Sequence, residues 1–148
     1  MQTTGHIARF DWACRSTWRS SAKNTLWCLI GCAAGDFATI YGFQIFSPET
    51  APYIVVSLAM VNGLGTSILL ETLILRKQLG LVRAFKTAFG MSLISMLGME
   101  SAMNVTDYML VGSVTLTWWS VPPSLLMGFL APWPYNYWRL KKYGRACH

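Results

Sequence analysis

Four long runs of residues, almost free of charge, constrain this chain more than any other feature. They extend from Thr25 to Phe46, from Ala51 to Leu75, from Ala88 to about Leu110 and from Val114 to about Pro134. As a helix with a rise of 1.5 Å per residue, each run is long enough to cross about 30 Å of hydrocarbon. The chain is 53% hydrophobic and only 12% charged, about half the charged fraction of a soluble domain. The sequence therefore predicts an all-α fold, an integral membrane four-helix bundle.

The basic residues alternate with these runs and predict the topology. Lys and Arg number four before the first run, four between the second and third, four after the fourth, and none in the other two links. Because Lys and Arg prefer the cytoplasmic side of a membrane, both termini and the middle link are expected in the cytoplasm of a bacterium, with the bundle in its inner membrane. The net charge of +6 is then a topology signal. The expected partner is the lipid bilayer, and no nucleic-acid partner is expected.

This topology divides the chain into three parts. Residues 1–24 form a cytoplasmic segment whose aromatic residues are typical of an interfacial helix. Residues 25–138 form the four-helix transmembrane domain, with spans at about 25–46, 51–75, 88–110 and 114–134, and residues 139–148 form a basic tail. The first span is too long for a signal peptide, so cleavage is not expected. Within the fourth run, Pro122-Pro123 is expected to kink or delay the helix, and Pro132-x-Pro134 to end it.

Three carboxyl groups lie inside the predicted spans, at Asp36, Glu71 and Glu100. A carboxyl in hydrocarbon is costly, and no Lys or Arg lies within any of the spans. Each carboxyl must therefore be protonated, hydrogen-bonded to a neighbour, or neutralised by a bound cation. These residues are predicted to neutralise charge or to relay protons.

Sulfur-bearing side chains share helix faces with these carboxyls. Thioethers lie from the middle of the membrane outward, and thiols lie toward the cytoplasm. Soft ligands of this kind suit Cu(I) or a related soft metal ion, and a methionine-to-cysteine order would give the ion a route inward. The predicted ligands are Met60, Met96, Met99, Met103, Cys28, Cys32, Cys147 and His148. Since cytosolic thiols stay reduced, no disulfide is expected among the four cysteines.

Small residues accompany the polar ones. Gly31 and Gly35 are four positions apart on the first span, and Gly63 and Gly65 lie on the second. Small residues at such spacing allow helices to approach closely, so all four are predicted to be helix-packing positions.

Several functions are compatible with this pattern. Methionine commonly fills gaps in cores, buried cysteine behaves as a small hydrophobe, and a protonated carboxyl can simply join helices. The combination of sulfur ligands and carboxyls on shared helix faces favours an integral membrane protein that binds or transports a soft metal ion, with Cu(I) as the first expectation. One alternative is a non-catalytic membrane subunit or assembly factor that contacts another membrane protein or further copies of itself. A second is a proton-coupled small carrier that uses the carboxyls.

Enzymatic activity is not expected. The only histidines are His6 and His148, both near the chain ends. A buried Ser-His or Cys-His pair is therefore not predicted, and no residue is assigned a catalytic role.

Several runs of the sequence resemble a family of small bacterial membrane proteins, catalogued as domain of unknown function four-three-nine-six. The resemblance covers the chain from about Asn24 onward. It implies a multi-span membrane protein, and it implies no activity and no site residues. The runs that carry it are Asn24–Cys32, Gly35-Asp36, Gly65–Thr72, Met91–Met96 with Met99-Glu100 and Met103-Asn104, and Pro134–Leu140 with Cys147-His148.

Overall fold

The computed structural model describes residues 12–142, apart from the side chains at positions 78, 79, 87, 91 and 92. Within this range, helices are the only regular secondary structure, which confirms the prediction of an all-α fold. The five helices are α1 (Arg15–Phe46), α2 (Pro52–Leu79), α3 (Leu81–Val111), α4 (Val121–Leu130) and α5 (Trp133–Lys142).

Two of these helices are long and apolar enough to cross a membrane. They are α1, with 32 residues, and the part of α2 from Pro52 to Lys77, with 26. In α3 the parts Leu81–Gly90 and Leu93–Val111 are bent by 54°, and together they are long enough for a third span. The chain is therefore a membrane protein of two or three long apolar helices.

The turns between the first three helices follow from their residues. Pro52 lies in the first turn of α2, where its missing N–H is not needed for a helix hydrogen bond. Gly80, between α2 and α3, has φ 77° and ψ 159°, a conformation that is essentially restricted to glycine. Consequently α1, α2 and α3 run antiparallel in sequence order, with α2 packed against both neighbours.

The fourth predicted span has a different structure from the expected single helix. Helix α4 has only ten residues, about 15 Å of length, and α5 follows as a separate helix of ten residues. The prolines supply the reason, because proline is tolerated in the first turn of a helix and breaks its interior. Pro122 and Pro123 lie in the first turn of α4, and Pro134 lies in the first turn of α5. Residues 114–134 are thus an irregular segment, α4 and the start of α5.

Helix α5 packs against the beginning of α1 through aromatic rings. Tyr137 is fully buried, and its ring stacks on Trp18 with the centroids 4.1 Å apart. The Trp133 indole N–H donates to the Trp18 carbonyl oxygen at 3.3 Å, and the Ser21 hydroxyl donates to the Trp133 carbonyl oxygen at 3.1 Å. The segment 114–142 therefore returns the chain to the end of the bundle where α1 begins.

The cysteines within residues 12–142 differ in oxidation state. Cys28 and Cys32 are buried free thiols, whereas Cys14 is disulfide-bonded. The expectation that no cysteine forms a disulfide is therefore wrong for Cys14. That expectation rested on the redox state of a cellular compartment, which does not determine where the fold places a thiol.

Candidate functional site

Five sulfur-bearing side chains from two helices belong to the buried core of the bundle. Helix α1 supplies Cys28 and Cys32, and α3 supplies Met96, Met99 and Met103. All five side chains are at most 2% exposed. We call these residues the sulfur cluster, and they are five of the eight ligands predicted from the sequence. Apolar residues, among them Leu29 and Ile68, pack into the same core and exclude water from it.

Glu100 is buried next to the sulfur cluster. Its side chain is fully inaccessible to solvent, and its carboxyl group and the Cys32 carbonyl oxygen both lie beside Gly63. Neither carboxyl oxygen makes a hydrogen bond of normal geometry to any residue in the described range. Leaving a buried acceptor without a donor costs about 1–3 kcal/mol, and more if it is charged. Glu100 is thus a group that a proton or a cation would stabilise.

Glycines bring α2 close enough to enclose this carboxyl. A Cβ atom at Gly63 would overlap Glu100 Oε1 and would lie 2.9 Å from the Cys32 carbonyl oxygen. A Cβ at Gly31 would lie 2.6 Å from Ser67 Cα, and one at Gly35 would overlap Thr66 Oγ1. Gly65 is exposed and has open space beside it. Three of the four predicted packing glycines therefore lie at close helix contacts.

Hydroxyl groups of α2 complete the contact with α1. The Ser67 hydroxyl donates to the Cys28 carbonyl oxygen at 3.1 Å and lies 3.4 Å from the Cys28 thiol. The Thr66 hydroxyl donates to the Gly31 carbonyl oxygen at 2.6 Å. These bonds determine how far α1 and α2 are apart and hold Cys28 in place.

A second acidic group lies one step from Glu100. Asp36 is 1% exposed and accepts a hydrogen bond from Asn104 Nδ2 at 3.3 Å. The same Asn104 nitrogen donates to the Glu100 backbone carbonyl at 3.0 Å. Asn104 therefore joins the Asp36 carboxyl of α1 to the backbone of α3 at Glu100, while the Glu100 carboxyl itself takes no part in the bond.

Asp107 extends this acidic series along α3. It is 9% exposed, and its Oδ1 has no partner within the described residues. Sequence analysis does not select Asp107 or Asn104 as site residues. Asn104 lies four residues after Glu100, and Asp107 lies three residues after Asn104, so both share the face of α3 that carries Met103. This helical spacing is the sequence signal that indicates both residues.

Helix α4 covers the methionine side of the sulfur cluster. A Cβ at Gly128 would overlap Met103 Cγ and would lie 2.9 Å from its sulfur. Ser124, one turn earlier, is buried, and its hydroxyl has no partner within residues 12–142. Gly128 is a further position that sequence analysis does not select, because it lies in the run whose helix is shorter than expected.

The remaining predicted site residues lie elsewhere. Met60 and Glu71 are partly buried on α2, and neither belongs to the sulfur cluster. Cys147 and His148 are outside the described residues. Within those residues, no group of three or more His, Cys, Asp or Glu side chains could hold a metal ion. A metal ion in this part of the chain would therefore depend on thioether ligands.

Comparison with known proteins identifies a family without an assigned activity. A family model described as Domain of unknown function (DUF4396) matches residues 17–145. The match confirms the resemblance seen in the sequence, although it begins several residues earlier and ends before Cys147 and His148. No curated protein and no solved structure matches the chain significantly.

Proposed function

We propose that this chain, which belongs to the family described as Domain of unknown function (DUF4396), is a membrane protein that binds or transports a soft transition-metal ion. The observation that carries the proposal is the sulfur cluster, in which two thiol and three thioether side chains belong to one buried core. Sequence periodicity predicted which residues share a helix face. The packing of α1 against α3 brings the two faces together.

Charge balance favours Cu(I) within the class of soft ions. Thioethers are neutral ligands, and soft sulfur donors select Cu(I) over harder divalent ions. The cluster has one carboxyl beside it, Glu100, without a hydrogen-bond donor in the described range. A monovalent cation and one carboxylate make a neutral pair, which lowers the cost of burying either charge in hydrocarbon.

The roles follow from position. Met96, Met99 and Met103 bind the ion as thioether ligands from α3, and Cys28 and Cys32 bind it as thiol ligands from α1. Glu100 neutralises its charge, and Asp36 remains a second predicted charge-neutralising carboxyl. His148 remains a predicted acceptor of the ion on the inner side, and Met60 remains a predicted outer ligand.

The orientation proposed from the basic residues is supported by the antiparallel helices. The start of α1, the turn between α2 and α3, and the end of α5 carry Lys and Arg, and all three lie at one end of the bundle. We assign this end to the cytoplasm of a bacterium, with the helices in its inner membrane. The ion would then move inward through the sulfur cluster toward this end.

An anaerobic Cu(I) titration of the purified protein in detergent, against a coloured Cu(I) chelator, tests the proposal. The wild type is expected to take up Cu(I) stoichiometrically. The triple variant Met96→Leu, Met99→Leu, Met103→Leu is expected to lose this uptake, because leucine keeps the volume but has no ligand atom. The matched control is Met109→Leu with Met127→Leu, since both methionines are exposed to the surroundings of the bundle. Uptake no greater than that of a protein-free control would refute the function.

The runner-up remains a non-catalytic subunit or assembly factor, which predicts stable co-purification with another membrane protein. The third candidate is a proton-coupled small carrier, and the observation in its favour is the series Asp36, Glu100 and Asp107, all nine-tenths buried or more. A carrier of this kind predicts transport that is abolished by carboxyl-to-amide changes, including Glu71→Gln, and unaffected by the triple methionine variant.

A further inference from the structure

An open groove of about 950 Å³ lies between α1 and α2 on the outer surface of the bundle. Its wall on α1 includes Ala34 and Ala38, and its wall on α2 includes Val61, Gly65 and Leu69. Residues four positions apart lie along one face of a helix, so each wall is a continuous strip of its helix. A Cβ atom at Gly65 would meet nothing within 4 Å. The two helices therefore present a hollow that no residue of the described chain fills.

The groove lies at the depth of the hydrocarbon. Asn62, which also lines it, is in the part of α2 that is apolar enough to span a membrane, from Pro52 to Lys77. At 1.5 Å per residue, Asn62 is roughly 15 Å from Pro52 and roughly 22 Å from Lys77 along the helix axis. In a hydrocarbon layer of about 30 Å, this side chain is therefore near the middle of the membrane.

The amide of Asn62 is only partly hydrogen-bonded. Its Nδ2 donates to Thr39 Oγ1 at 2.8 Å, and the Thr39 hydroxyl donates to the Gly35 carbonyl oxygen at 2.8 Å. A side-chain amide has two N–H donors and one oxygen acceptor. The second N–H and the Oδ1 of Asn62 have no partner within the described residues, although the side chain is exposed. Because hydrocarbon offers neither donor nor acceptor, an occupant of the groove that supplies both is favoured over lipid.

We infer that this groove is the contact surface of a homodimer, in which Asn62 of each copy pairs with Asn62 of the other. The amide is electrostatically self-complementary, because the free N–H of one copy donates to the Oδ1 of the other in both directions. Two copies inserted with the same topology are related by a twofold axis along the membrane normal, which places both amides at the same depth. The bond from Asn62 to Thr39 is kept in the dimer.

Packing across the groove supplies the second part of the contact. In a bilayer, helices associate through close packing at small residues and through hydrogen bonds between helices. Val61 and Leu69 are 64% and 60% exposed and lie four residues on either side of Gly65, so they form an apolar ridge beside the groove. In the dimer the ridge of each copy packs into the groove of the other. A lipid chain would fill the apolar part of the groove but would leave the amide of Asn62 without a partner.

Energy transfer between donor-labelled and acceptor-labelled copies of the purified full-length protein in phosphatidylcholine vesicles tests the inference. Over a range of protein-to-lipid ratios, the wild type is expected to follow a monomer–dimer equilibrium. Asn62→Leu removes the amide at similar volume and is expected to raise the dissociation constant about tenfold, the scale of one or two hydrogen bonds between membrane helices. Gly65→Leu fills the groove but keeps the bond between Asn62 and Thr39, and it is expected to raise the constant at least as much.

Each groove variant has a matched control. Ser57→Leu also replaces an exposed polar residue of α2 by leucine, and Ser57 bonds to the Tyr53 carbonyl oxygen of its own helix. Gly98→Leu also replaces an exposed glycine that has open space beside it, but on α3. Both controls are expected to dimerise like the wild type. Because all four positions are exposed, the helical content measured by circular dichroism is expected to be unchanged in every variant.

Other outcomes overturn the inference. Wild-type energy transfer no greater than that of randomly distributed monomers would exclude the homodimer and leave lipid or a different membrane protein as the occupant. Unchanged dissociation constants in both groove variants would place the contact between copies on another face, and an unchanged constant in Asn62→Leu alone would exclude the amide pair. An equal rise in the control variants would assign the effect to any change of the lipid-facing surface. None of these measurements involves Cu(I), so the proposed function is tested separately.

Discussion

The interface between α1 and α2 differs from the interface that α3 presents to the core. Between α1 and α2, Gly31 lies against the backbone of Ser67, and the hydroxyls of Thr66 and Ser67 donate to α1 carbonyl oxygens. On α3, the carboxyl of Glu100 and the hydroxyl of Ser95 are buried without hydrogen-bond partners among residues 12–142. Both interfaces contain small and polar residues. Thr66 and Ser67 are hydrogen-bonded across the first interface, whereas on α3 Asn104 has a partner on α1 and the side chains of Glu100 and Ser95 have none among residues 12–142.

This difference separates residues that hold the bundle together from residues that are available to a ligand. In a bilayer, close packing and hydrogen bonds between helices are the main sources of helix association. The α1–α2 pair has both and therefore forms a scaffold. The core face of α3 retains unsatisfied groups, which reduce stability unless they serve another purpose. Three variants test this division.

The largest expected effect is at the α1–α2 contact. Gly31→Leu places a side chain against the Ser67 backbone, which cannot move as a flexible side chain can, and we expect a loss of about 3 kcal/mol in stability. Gly42→Leu on the same helix is the control, because a Cβ there meets nothing within 4 Å. Thermal unfolding in detergent measures both variants. Equal melting temperatures for the two would mean that the glycine contact does not support the bundle.

An intermediate effect is expected at the acidic group of the core. Glu100→Gln cannot neutralise a cation, so we expect Cu(I) affinity to fall about tenfold, which corresponds to about 1.4 kcal/mol. The unfolding temperature of the metal-free protein should stay the same or rise, because a buried carboxyl without a donor is removed. Chelator competition and thermal unfolding check the two parts separately. A marked loss of metal-free stability would instead identify Glu100 as a structural residue.

The smallest effect is expected from the comparison of a hydrogen-bonded hydroxyl with a buried hydroxyl that has no hydrogen-bond partner among the described residues. Thr66→Val removes the bond to the Gly31 carbonyl oxygen and is expected to cost about 1 kcal/mol. Ser95→Ala removes a buried hydroxyl without a partner in the described range and should be neutral or slightly stabilising. Urea or thermal unfolding of the two variants side by side gives the difference. The comparison of interfaces fails if Ser95→Ala is the more damaging change.

The helical repeat of the sequence predicted more of the candidate site than the lengths of the apolar runs did. The 3.6-residue repeat placed Cys28 with Cys32 on α1, and Met96, Met99 and Met103 on α3, and the structure brings these two stripes together. The same repeat placed Met60 and Glu71 on one stripe of α2, but the structure leaves both outside the sulfur cluster. Periodicity assigns residues to a face of one helix, whereas rotation of that helix against its neighbours decides which face is inside.

The glycines of α2 likewise show that the sequence does not determine which face of a helix packs. Gly63 and Gly65 are two residues apart, and both were predicted to pack. Only Gly63 meets a neighbour, the carboxyl of Glu100, and Gly65 meets nothing within 4 Å. Two residues on a helix differ by about 200° in direction, so a pair at this spacing cannot serve the same interface.

The sequence by itself determined the membrane class, the all-helical fold, the first two spans and the residues that share each helix face. It did so because hydrocarbon thickness and helical repeat act on local stretches of chain. Packing alone placed Glu100 and the Cys32 carbonyl oxygen beside Gly63 and set α4 over Met103 at Gly128. The proline pairs predicted an interruption of residues 114–134, and the structure added that two separate short helices result. Those features depend on contacts between residues far apart in the chain and on prolines whose effect depends on where each helix begins.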